Sequence, residues 1–246
     1  MPELMWFGWA LLGFAALIVG LSKTAVPGAA TVAVAIFAAV LPARQSTGTI
    51  LLLLIVADLF AVVTYRRFTN WRTLLRLAPA VIAGILVGVV FLFFADDAWV
   101  KRTIGVILLA VIAITLFRRR MAAPVDDAGP HRLAAATYGT LGGFTTMVAN
   151  AAGPVMSMYF LAMRFPVKEF LGTAAWFFVI VNISKLTFSI GLGLITVPGL
   201  LVDLVLVPLV VGGALFGRWL AGRLNQRVFE RLVIVFTVIG AVYLLI

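Results

Sequence analysis

Three charged residues stand deep inside runs of apolar residues, while Asp203 lies near the end of its own. Lys23 lies in "GLSKTAVPGAATV" (Gly20 to Val32), Asp58 in "GTILLLLIVADLFAVV" and Lys185 in "FFVIVNISKLTF". A charge at the centre of a bilayer costs about 2.5–3.5 kcal/mol on insertion scales, so each must face protein or water. Two chemistries follow. Lys23, flanked by the hydroxyls of Ser22 and Thr24, suits a negatively charged solute; the alternative is a lysine that snorkels to the headgroups. Asp58 suits a coupling proton, or an ion pair with Lys185, which can instead contact the anion. Asn182, three residues before Lys185, suits a hydrogen bond between helices or a solute contact. In the second half, "GGFTTMVANAAGPVMSMYFL" places Thr145, Thr146 and Asn150 beside a proline-glycine break at Gly153-Pro154. Pro27-Gly28 forms the first such break.

Other chemistries find little support. The only histidine, His131, lies in a charged stretch, and no intramembrane carboxylate pair or metal-ligand spacing appears, so neither an enzyme nor a metal or cofactor is expected. No P-loop is present for ATP-driven transport. There is no cysteine, which excludes disulfides and thiol chemistry.

Such residues need a membrane frame to position them. Hydrophobic residues make up 64% of the 246-residue chain and charged residues 11%, with a mean hydropathy of +1.18. Soluble domains carry about a quarter charged residues. The chain is therefore expected to be an all-α integral membrane protein with about 8–10 transmembrane segments. The net charge of +10 sits mostly in short loops, where it sets topology and meets lipid headgroups; no aromatic-interleaved basic patch suggests nucleic acid. The first apolar run has no basic residue before it and reads as a retained helix.

Ten apolar segments can be marked, at 4–21, 27–41, 46–64, 74–95, 99–117, 132–149, 154–163, 169–191, 198–217 and 228–246. The second and seventh are too short to span comfortably and open at the two breaks. The polar stretch "RRRMAAPVDDAGPHR" divides the chain into a first transmembrane repeat (1–117), a cytoplasmic linker (118–131) and a second transmembrane repeat (132–246). The repeats resemble each other. "LAPAVIAGILVG" (Leu77–Gly88) matches "LVPLVVGGALFG" (Leu206–Gly217), and Asp58 falls opposite Asn182. The paired glycines Gly84, Gly88, Gly213 and Gly217 read as close helix-packing positions.

With alternating crossings, Lys23, Arg66, Arg67, Arg72, Arg76, Arg118–Arg120, Arg132, Arg164, Lys168, Arg218, Arg223, Arg227 and Arg231 share one side. Arg44, Lys101 and Arg102 take the other. The basic side is expected in the cytoplasm, with both termini outside. An odd number of crossings per half makes the two five-segment repeats inverted. Matched breaks in inverted repeats point to a solute site, because irregular backbone at membrane depth is tolerated only in protein or beside a cavity. Half-helices starting at Pro27 and Pro154 would turn their N-termini toward one anion near midplane.

"GLSKTAVPG", "GGFTTMVANAAGPVMSMYFL" and the paired "P…G…G" helices resemble the TauE/SafE sulfite exporter family over nearly the whole chain. The resemblance implies a bacterial-type carrier in the cell (inner) membrane for sulfite, sulfonates such as sulfoacetate, or related sulfur anions. The family's two Gly/Pro-rich segments fall on Gly20–Gly28 and Gly142–Pro154, although "KTAVPG" carries alanine and valine where glycines often occur. The expected function is thus export of a small sulfur-containing anion by secondary transport, with proton coupling as an option. A channel or a non-transporting assembly subunit is the alternative. The expected substrate-binding residues are Ser22, Lys23, Thr24, Gly28, Thr145, Thr146, Asn150, Gly153 and Lys185, with Asp58 and Asn182 assigned to coupling. The expected partners are the anionic solute and the lipid bilayer, with a homo-oligomer left open.

Overall fold

The computed structural model describes residues 5–96, 99 and 132–243. The linker 118–131 and, apart from Trp99, the segment 99–117 lie outside the described residues. All regular structure among the described residues is helical: α1 (Trp6–Thr24), α2 (Ala30–Val40), α3 (Ala43–Tyr65), α4 (Trp71–Phe94), α5 (Arg132–Ala149), α6 (Ala152–Ala162), α7 (Val167–Gly191), α8 (Val197–Ala221) and α9 (Gln226–Tyr243). Five spans, at 6–24, 45–68, 71–94, 167–191 and 197–221, are long and apolar enough to cross a bilayer. Leu75, Ile82, Leu86, Val90 and Phe93 stay exposed along α4, a stripe suited to lipid.

Local chemistry fixes the helix starts. Asn70 caps α4 by accepting from the Thr73 N–H, and Thr196 caps α8 by accepting from the Gly199 N–H. The two short helices begin differently from the sequence expectation. α2 starts three residues after Pro27, because Gly28 turns the chain with φ 101°, a left-handed conformation that glycine tolerates. α6 starts two residues before Pro154, so the proline sits in the first turn, where its missing N–H breaks no helical bond.

The helices pair across the two halves. α1 packs against α8, α4 against α5, and α3 against α7 and α8. Small residues permit the closest approaches: a Cβ added at Gly20 would collide with the Val210 carbonyl, and one at Gly213 with that of Leu17. On the other pair, a Cβ at Gly84 would strike the Thr140 carbonyl and one at Gly143 that of Val81. Interhelical contacts of this kind replace the hydrophobic drive that lipid does not supply.

One end of the bundle collects basic residues. Asn70 Nδ2 donates to Glu169 Oε1 at 2.9 Å, Thr69 donates to the Gly172 carbonyl, and Gln226 Nε2 donates to the Phe165 carbonyl at 3.2 Å. These bonds bring together segments carrying Arg66, Arg67, Arg72, Arg164, Lys168 and Arg227. Tyr65 OH donates to the Thr24 carbonyl at 2.8 Å, so the end of α1 reaches toward this side. At the other end α3 begins against the α7–α8 loop, where a Cβ on Gly48 would collide with the Leu194 carbonyl.

Candidate functional site

The three intramembrane charges converge. Lys23 leaves the last turn of α1, and long helical side chains lean back toward their helix N-terminus. That direction brings Nζ to Asp58 Oδ1 on α3, at 2.8 Å, in a buried ion pair. The ammonium also lies 3.8 Å from the centre of the Phe178 ring on α7. Asp58 Oδ2 accepts from Asn182 Nδ2 at 2.7 Å. Asp58 thus pairs with Lys23 rather than with Lys185, the partner considered from sequence. Asn182 stands between them, and Lys185, one turn further along α7, reaches to α5 instead.

Lys185 is fully enclosed, at 1% exposure, and donates to Asn150 Oδ1 at 2.5 Å, to Thr146 Oγ1 at 3.1 Å and to Asn182 Oδ1 at 3.4 Å. All three acceptors are neutral. Asn150 Nδ2 in turn donates to the Thr47 carbonyl on α3 at 2.9 Å. A continuous polar chain therefore runs Lys23–Asp58–Asn182–Lys185–Asn150–Thr47 through an otherwise apolar interior. Its two lysines and one carboxylate leave one positive charge without a carboxylate partner among the described residues. Buried charges require compensation.

A cavity opens beside this chain, with about 470 Å³ of free space including its mouth. Lys23, Asn182, Asn150 and Thr146 supply polar groups to its wall, and Ser22, Pro27, Gly28 and Gly153 complete the side formed by the two breaks. Much of that space is open mouth; the enclosed part holds little more than a water-sized group, so an oxyanion enters fully only as the walls give way. The two breaks meet here: the Gly28 Cα lies 3.7 Å from the place a Cβ on Gly153 would occupy. Asn150, at φ 54°, turns the chain out of α5 in a conformation that asparagine tolerates better than most residues.

The other expected residues take different places. Thr24 Oγ1 donates to the Gly20 and Ala214 carbonyls, at 3.1 and 3.0 Å, and seats α1 on α8. Thr145 Oγ1 donates to the Leu141 carbonyl at 2.8 Å within α5. Neither lines the cavity. Ser22 does, although its hydroxyl donates to the Val19 carbonyl at 2.9 Å. Lys185 lies behind the Thr146–Asn150–Asn182 wall. Sequence reasoning missed Phe178, Ala174 and Ala175, which line the cavity on α7. Their spacing with Asn182 and Lys185 along one helical face was the available signal.

Spans long enough for a bilayer, wrapped round a charged interior cavity, define a polytopic membrane protein with an intramembrane polar site. The profile of the sulfite exporter TauE/SafE family matches residues 12–244, nearly the whole chain, and the chain belongs to that family of membrane transporters. No curated protein matches the chain, and no solved structure does.

Proposed function

We propose that this protein exports a small sulfur oxyanion or organosulfonate, sulfite or sulfoacetate, through the cavity beside Lys23 and Lys185. The observation that carries this reading is the buried Lys185 ammonium, whose hydrogen-bond partners are all neutral. An anion in the adjacent cavity supplies the missing countercharge. Asp58 then acts as the resident anion of the empty protein: an arriving oxyanion competes with it for Lys23. The N-termini of α2 and α6 add their positive dipole ends. The N–H of Ala29, just before α2, and those of Thr31 and Val32 in its first turn already donate to nearby carbonyls, so α2 contributes its dipole more than free donors.

The helix pairing also supports an inverted repeat. Under the alignment of halves, α1 corresponds to α5 and α4 to α8, so the α1–α8 and α4–α5 contacts exchange under a twofold operation. The two short helices correspond likewise and meet at their breaks. We assign the basic end to the cytoplasm and the termini to the outside of the inner membrane.

The function is tested by loading proteoliposomes with sulfite, sulfoacetate, thiosulfate or sulfate and following efflux and counterflow. Saturable exchange of sulfite or sulfoacetate is expected. No exchange of any of the four removes the reading. Orientation is checked with single cysteines, unambiguous because the chain has none. A membrane-impermeant thiol reagent added outside whole cells is expected to label a cysteine at Val197, which is 70% exposed, and to miss one at Arg67. The reverse pattern overturns the assignment.

A further inference from the structure

Asp203 lies on the second turn of α8, and only 5% of it is exposed. Both carboxylate oxygens are shut from solvent and neither has a hydrogen-bond donor. Its neighbours Val202 and Leu206 pack in an apolar core with Leu12 and Ala15 of α1 and Ile50 and Leu53 of α3. A second orphan stands close by. The Thr49 hydroxyl on α3 is buried without a partner, and it lies 2.7 Å from the place a Cβ on Gly199 would occupy, one turn before Asp203.

Charged groups on the packed elements do not compensate this carboxyl. α1 contributes Lys23, which is committed to Asp58 of α3. The other titratable groups on these helices are Tyr65 at the far end of α3 and Arg218 at the far end of α8; the Arg44 side chain, at the head of α3, is outside the described residues. A buried ionised carboxylate without partners is prohibitively costly. The same group as a neutral acid fits an apolar wall. A metal ion would need several more oxygen ligands, and no group of three histidine, cysteine or acidic residues suited to a metal exists among the described residues.

We propose that Asp203 is a proton-binding site that couples a proton gradient to anion movement, a role the sequence alone gave to Asp58. The inference rests on the anion-transport reading above. Asp58 is ill suited, since both its oxygens are engaged by Lys23 and Asn182. Asp203 holds a proton as a carboxylic acid and releases it as a carboxylate when the surrounding helices part to admit water. It lies about 9 Å along α8 from the end opposite the basic residues, counting 1.5 Å per residue. A short stretch of α3 links it to the anion site: the Thr47 carbonyl accepts from Asn150, which holds Lys185, and Thr49 two residues on presses against α8 beside Asp203. A shift of α3 against α8 that exposes Asp203 must therefore move the Asn150 contact.

The test uses purified full-length protein in sodium-free proteoliposomes with sulfite. In Asp203→Asn, which keeps the shape of the neutral acid, counterflow exchange of sulfite is expected to stay within about twofold of the parent. Acceleration of flux by an imposed pH gradient is expected to fall at least tenfold, with partial recovery in Asp203→Glu. Full gradient-driven flux in Asp203→Asn overturns the proposal. A parent that exchanges no anion removes the transport reading but leaves a second readout. Infrared difference spectra between acid and alkaline buffer are expected to show the carbonyl band of a protonated carboxylic acid that shifts on aspartate isotope labelling and is lost in Asp203→Asn. If the variants do not fold, the labelled parent alone decides: absence of such a band overturns the proposal.

Discussion

Lys185→Met lowers the affinity for sulfite about a hundredfold and leaves the protein at least as stable as the parent. The two halves of this result come from one feature. Lys185 is buried with neutral partners only, so its charge is a standing cost in the empty protein. Methionine has similar length and no charge, and it relieves that cost. It also deprives Asn150, Thr146 and Asn182 of one donor, a loss of about 1–3 kcal/mol if no other donor takes its place, which offsets much of the gain. The bound anion loses its closest uncompensated cation. Lys185 stands behind the cavity wall, so it acts on the anion through space: two unit charges about 6 Å apart at an effective dielectric of about 20 attract by about 2.8 kcal/mol, and each 1.4 kcal/mol is a factor of ten in affinity. Calorimetric titration beside a thermal melt reads both quantities. A lysine present only for structure gives the opposite result: unchanged affinity and a lowered melting temperature.

Asp58→Asn destabilises the folded protein by about 3–5 kcal/mol, the usual consequence of stripping one partner from a buried ion pair. The change preserves shape and a hydrogen bond to Asn182, so the loss falls on Lys23, left charged and alone against the Phe178 ring. Lys23→Met destabilises by a comparable amount for the converse reason. The double variant Lys23→Met/Asp58→Asn recovers most of either loss, since no isolated charge remains. The non-additivity is the measured quantity, from denaturant unfolding in mild detergent across the four proteins. Additive losses would mean that the two side chains do not depend on each other. Loss of Asp58 alone also frees Lys23 for substrate, so Asp58→Asn binds sulfite at least as tightly as the parent wherever it remains folded.

The helical membrane architecture was legible in the sequence because apolar runs of about twenty residues have few soluble explanations. The cluster of charges was legible for a related reason: a lysine or aspartate surrounded by leucine and valine must find company. The pairing within the cluster was not. Lys23 and Lys185 are both intramembrane lysines beside a polar residue, and sequence carries no information on which of them α3 faces. That choice is set by α1 packing on α8 through Gly20 and Gly213, a contact between distant parts of the chain. Thr24 and Thr145 looked like solute ligands because they adjoin the breaks. Their hydroxyls instead bond to helical carbonyls, as threonines in membrane helices commonly do. Asp203 drew little notice near the end of its apolar segment, and only the packed structure shows both its oxygens stranded.

The α1–α8 contact also sets a timetable for making the protein. Thr24 donates to the carbonyl of Ala214, 190 residues later in the chain. Ribosomes add about 5–20 residues each second, so α1 waits roughly 10–40 s in the membrane before its mate exists. Throughout that interval the groove at Gly20 faces lipid or a temporary neighbour, while α4 can clasp α5 as soon as the latter emerges. Assembly therefore closes on an early element: α1 is among the last helices to be locked, and a nascent chain that stops before Val197 holds it only through α2 and α3, by way of the Lys23–Asp58 pair and the Tyr65–Thr24 bond.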